Sequence, residues 1–187
     1  MIPLPTLPGM EDRRLRPDLF VFMLALGAVG VMTLSFFSSR NGAAVVMCGI
    51  CIAGLIAARA IGFSNRALVP VAAGFVLLLY LVWIDPPFEN DHRTSALAHG
   101  VGGLLVGWAI AEYLRGRIEW PLWAIGAVAV VLGLTVLWEF GEYLGDRALD
   151  TALIPNKRDS AVDIAFGTLG GAFGVMLASF VPARFWR

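Results

Sequence analysis

The sequence predicts an all-α fold: a single polytopic membrane domain over residues 1–187, with six transmembrane helices and both termini in the cytoplasm. Three observations predict it. Of 187 residues, 58% are hydrophobic and 15% charged, with a mean hydropathy of +0.77, whereas soluble domains carry about 25% charged residues. Six stretches are long and apolar enough for the roughly 20 residues that a spanning helix needs. Lys and Arg, finally, divide unequally between the two sets of connections, and the richer set marks the cytoplasm.

The elements follow in order. Residues 1–10, MIPLPTLPGM, precede the charges Glu11 to Arg16; a signal peptide has the opposite order, basic then apolar, so no cleavable signal is expected. Arg13, Arg14 and Arg16 beside Pro17 fit a juxtamembrane anchor to anionic lipid. Span one covers 18–38 and ends at Ser38-Ser39-Arg40-Asn41-Gly42. Span two, 43–62, contains Cys48 and Cys51. Their CxxC spacing has no cations nearby to lower a thiol pKa, so they read as small core residues rather than a redox pair. A very short link leads to span three, 67–84, which Asp85-Pro86-Pro87-Phe88 terminates. Spans four, five and six cover 94–114, 120–144 and 160–182, with the longest loop, 145–159, between the last two.

Orientation follows from charge. One side carries Arg13, Arg14, Arg16, Arg59, Arg66, Arg115, Arg117, Arg184 and Arg187; the other carries Arg40, Arg93, Arg147, Lys157 and Arg158. The larger set places the termini inside and the loops 85–93 and 145–159 outside. Trp120 and Trp123 fall at the inner interface and Trp138 near the outer one, where amphipathic rings are expected. The net charge is zero and no basic block exists, so nucleic acid is not an expected partner.

The last three spans carry six ionisable groups near their outer ends: His92, His99, Glu139, Glu142, Asp159 and Asp163. Charges inside hydrocarbon are costly and mark functional sites by default. At 1.5 Å per residue, His99 and Glu139 lie roughly 7–8 Å below the outer boundary and Asp163 roughly 5 Å. Within each helix the partners share a face: His92 and His99 are seven apart, Glu139 and Glu142 three, Asp159 and Asp163 four. Small-xxx-small pairs, Gly103/Gly107 and Gly167/Gly171, allow spans four and six to approach closely.

The order Asn90-Asp91-His92-Arg93, Ala98-His99-Gly100, Trp138-Glu139-x-x-Glu142 and Asp159-x-x-x-Asp163 with its glycine-rich continuation resembles the YjdF-like family of bacterial inner-membrane proteins over about residues 88–180. The run from Asp163 through Gly174 is also similar to the end of VanZ-like membrane proteins. The resemblance implies a small multi-span protein of the bacterial inner membrane with these polar positions as its signature.

Imidazole with carboxylates suits Zn, Fe or Mn. His99, Glu139 and Asp163, with His92, are the expected metal ligands, leaving Glu142 and Asp159 as general base or supporting partner. A metal-dependent hydrolase or transferase acting on a lipid-linked or envelope substrate is one reading. The other is an accessory subunit of a membrane complex, in contact with lipid and protein partners, whose acidic cluster is structural. A proton relay is disfavoured, because the inner halves of spans four to six offer only Glu112 and Glu119.

Overall fold

The computed structural model describes residues 17–38, 42–64, 67–72, 74–76, 92–149 and 157–181. The N-terminal arginine anchor, the distal part of span three with Asp85 to Phe88, and the Phe185-Trp186-Arg187 end lie outside the described residues. Every regular element among the described residues is helical: α1 (Pro17–Ser38), α2 (Gly42–Ala60), α3 (Ala67–Val76), α4 (His92–Arg115), α5 (Leu122–Leu149) and α6 (Lys157–Phe180). An apolar chain in hydrocarbon has no water to satisfy its amides, and a helix satisfies them within one segment. Among the described residues, three stretches are long and apolar enough to cross a membrane: Ser95–Arg115, Leu122–Ala148 and Arg158–Phe180.

The helices outrun the expected spans at the charged end. Asp146 and Arg147 belong to the last turn of α5, and Arg158 and Asp159 to the first turn of α6, so the expected 15-residue loop 145–159 is shorter than hydropathy suggests. His92 likewise opens α4 rather than lying in the preceding loop. The physical reason is that a helix needs no apolar side chains to continue. Glu, Leu, Arg and Ala are all good helix formers, and an acid such as Asp159 favours the positive end of the helix dipole.

Helices α4, α5 and α6 pack around stripes of every fourth residue. On α5 the buried stripe runs Trp123, Ala127, Val131, Thr135 and Glu139, from apolar to acidic. On α6 it begins with Asp159 and Asp163, both buried, and continues through Gly167 and Gly171. A Cβ placed on Gly103 would overlap the backbone of Gly167, and one on Gly107 that of Gly171. On Gly167 and Gly171 themselves it would collide with Thr135 and Val131 of α5. Each layer therefore sets a glycine of α4 on a glycine of α6, with an α5 side chain closing the third side. Such close approach is how helices gain dispersion energy in lipid, where burying apolar surface supplies no driving force.

The pairs also fix direction. α4 and α6 run parallel, and α5 runs against both, so the start of α4, the end of α5 and the start of α6 share one end of the bundle. At the opposite end lies the main apolar core, which includes Leu55, Leu68, Ile110, Trp123 and Val175. There Arg115 donates to the carbonyl oxygens of Ala178 and Val181 at 2.9 and 2.8 Å. These are among the carbonyls that a helix C-terminus leaves without intrahelical partners. Trp120 projects from this end, 68% exposed, whereas Trp123, expected at the same interface, is buried in the core. Cys48 and Cys51 are buried free thiols, packed beside Val29 as small core residues.

Candidate metal centre

At the charged end, the continuation of the glycine layers brings His99, Glu139 and Asp163 together. One ligand atom from each lies within 4.8 Å of the other two. His99 Nε2 stands 3.1 Å from Glu139 Oε1, and His99 Nδ1 stands 3.6 Å from Asp163 Oδ1. Glu139 and Asp163 are buried, and His99 is half-buried.

Hydrogen bonds orient the group. His99 Nδ1 lies 3.0 Å from the carbonyl oxygen of Ser95, one turn earlier on α4. A carbonyl only accepts, so Nδ1 carries the proton of that bond. Ser95 Oγ donates to Asp163 Oδ2 at 2.8 Å. With Oδ2 engaged, Asp163 presents Oδ1 to the imidazole. His99 Nε2, Glu139 Oε1 and Asp163 Oδ1 are all buried and have no hydrogen-bond partner among the described residues.

The chemistry of that arrangement is specific. In the neutral imidazole with its proton on Nδ1, Nε2 is an acceptor, and ionised carboxylate oxygens are acceptors only. With that tautomer three acceptors converge on a space that a cation can fill, whereas a ring protonated on both nitrogens donates Nε2–H toward Glu139 Oε1 at 3.1 Å. A buried acceptor without a partner costs about 1–3 kcal/mol, more when charged. A positive charge among the three relieves the repulsion. One imidazole and two carboxylates form a donor set suited to Zn, Fe or Mn. Donor atoms bound at about 2.0–2.2 Å in a tetrahedron lie roughly 3.4 Å apart. The His99–Glu139 separation of 3.1 Å is close to that, and all three ligand atoms lie within 4.8 Å of one another.

The other expected residues surround this triad rather than join it. Glu142 shares the face of Glu139, is half-buried, and accepts a 2.8 Å hydrogen bond from Trp138 Nε1. His99, Glu139 and Asp163 are all within its electrostatic reach. Asp159 is buried one turn before Asp163 on the same face of α6. His92 lies two turns before His99 on α4, and its side chain is outside the described residues.

Ser95 is the residue that charge and depth alone do not reveal. Its signal was present in the spacing Ser95-x-x-x-His99, which puts the hydroxyl on the imidazole's face of the helix. At the far end of the bundle, Glu112 lies 3.8 Å from Arg115, and no chain of ionisable groups links it to the triad among the described residues. No family model matches this chain, and neither a curated protein nor a solved structure matches it.

Proposed function

We propose that the chain crosses the bacterial inner membrane six times and holds a divalent metal through His99, Glu139 and Asp163 near the outer face, where it acts as a metal-dependent hydrolase or transferase on a lipid-linked or envelope substrate. The observation that carries this reading is the convergence of three buried potential ligand atoms, one from each of three helices, none with a hydrogen-bond partner among the described residues. A proton on Nε2 would satisfy the His99–Glu139 contact but would leave Asp163 Oδ1 without a donor. A cation satisfies all three.

The six-span topology is supported by the lengths of the first two helices. The 22 residues of α1 and 19 of α2 reach about 33 and 28 Å at 1.5 Å per residue, close to the roughly 30 Å of a hydrocarbon core. The excess of Arg and Lys on the other side supports an outward site. Three donors leave room at a four-coordinate ion for water, which a bound zinc makes acidic enough to ionise near pH 7. Glu142, which accepts from Trp138 Nε1, and Asp159, buried one turn before Asp163, are the carboxylates that flank the triad and would accept a proton or support a ligand.

Elemental analysis of protein purified in mild detergent without chelators tests the reading. Near-stoichiometric zinc, iron or manganese in wild type and its loss in a His99→Ala, Glu139→Gln double variant support it. A well-folded wild type without metal rules it out. One observation favours a second reading. The Ser95–Asp163 hydrogen bond and the His99–Glu139 contact tie three helices together at one end, as a purely structural network in an accessory subunit would. Metal-free protein that copurifies with a stable membrane partner would select that alternative.

A further inference from the structure

Ser95 touches two of the three candidate ligands at once. Its carbonyl oxygen holds His99 Nδ1 at 3.0 Å, and its hydroxyl holds Asp163 Oδ2 at 2.8 Å. The two bonds act on different helices. The first holds Nδ1–H and so turns Nε2 toward Glu139 Oε1. The second links α4 to α6 and turns Oδ1, rather than Oδ2, toward the ring. A ligating histidine characteristically donates its other nitrogen to a carbonyl or carboxylate, and a ligating carboxylate is itself hydrogen-bonded. Both requirements converge on one residue here.

Resting on the metal reading above, we infer that Ser95 is the positioning residue of this centre, holding Asp163 as a ligand through a single oxygen. The neighbouring layer makes the arrangement stiff. One turn after His99 and one turn after Asp163 come Gly103 and Gly167, whose backbones are in contact and set the spacing of α4 and α6 beside the site. Glu139 stands differently. It approaches from the antiparallel helix and makes no contact with Ser95 among the hydrogen bonds and close charge contacts described above, so its placement does not depend on the hydroxyl.

The test compares wild type, Ser95→Ala and Ser95→Thr for affinity toward zinc and manganese by chelator competition in detergent, alongside the thermal midpoint of each protein freed of metal. Ser95→Ala keeps the backbone carbonyl, and so the His99 bond, but loses the hydroxyl. The inference predicts affinity lowered roughly 10- to 100-fold in Ser95→Ala, the range for loss of a ligand's hydrogen-bonding partner, and restored to within a few-fold of wild type by Ser95→Thr. The metal-free midpoints need not follow that order, whereas a merely structural role would move midpoint and affinity together. Ser95→Ala binding both metals as tightly as wild type overturns the inference while leaving the metal site standing. Wild type that binds neither metal overturns both.

Discussion

His99 Nε2 and Glu139 Oε1 stand 3.1 Å apart across two helices, buried, and neither has a hydrogen-bond partner among the described residues. Nδ1 of the same ring is held by the carbonyl oxygen of Ser95, and Asp163 Oδ1 is the third buried atom of the group without such a partner. Packing further along the helices holds them there. The glycine layers at Gly103–Gly167 and Gly107–Gly171 bring the backbones of α4 and α6 into contact.

Replacing Glu139 with Gln should separate stability from binding. With the ring proton on Nδ1, the amide can donate to Nε2 in a hydrogen bond with a net value of about 0.5–1.5 kcal/mol. Denaturant unfolding in chelator should show the metal-free variant as stable as wild type or more so, while metal affinity falls. A variant that unfolds more easily yet keeps its metal would contradict this view of the contact.

Metal removal should be visible as a thermal shift. A ligand present at about 100 times its dissociation constant stabilises the folded state by about 2.7 kcal/mol. Adding chelator to wild type should therefore lower its midpoint. The His99→Ala, Glu139→Gln double variant should give the same midpoint with and without chelator, and a shift of equal size in both proteins would place the metal elsewhere.

The glycine layers make a sharper structural prediction. A Cβ at Gly103 or Gly170 would overlap the backbone of the facing helix, whereas at Gly102 or Gly133 nothing lies within 4 Å. Gly103→Ala and Gly170→Ala should each cost about 1–3 kcal/mol, the range for overpacking, and weaken metal binding as α4 and α6 part. Gly102→Ala and Gly133→Ala should be neutral or slightly stabilising. Unfolding in mixed micelles with graded denaturing detergent measures all four.

Glu142 tests the division of roles. It is held by Trp138 and lies beside the triad rather than in it. Glu142→Gln and Trp138→Phe should retain metal at close to wild-type stoichiometry, and any turnover of a lipid-linked substrate should fall in Glu142→Gln. Loss of metal from Glu142→Gln would make it a ligand.

Much of this was legible in the sequence because its physics is one-dimensional. Depth is residue count times 1.5 Å, so His99, Glu139 and Asp163 could be placed in one layer before any contact was known. The glycine spacing announced the close approach of α4 and α6. Hydropathy misplaced the helix ends at 145–159, because it records where apolar side chains stop, while backbone hydrogen bonding continues through Asp146 and resumes by Arg158. The role of Ser95 is hidden from depth and charge for a related reason. The Ser95-x-x-x-His99 spacing puts the hydroxyl on the imidazole's face, but only the fold supplies the partner it bonds, 68 residues away on α6.

The most direct test of the central claim is X-ray absorption at the metal edge on protein purified without chelators. The account predicts a first shell of nitrogen and oxygen at about 2.0–2.2 Å, with imidazole scattering from a single histidine that disappears in His99→Gln. A well-folded protein with no metal, a sulfur shell near 2.3 Å that would implicate Cys48 and Cys51, or an imidazole signal that survives His99→Gln would contradict it.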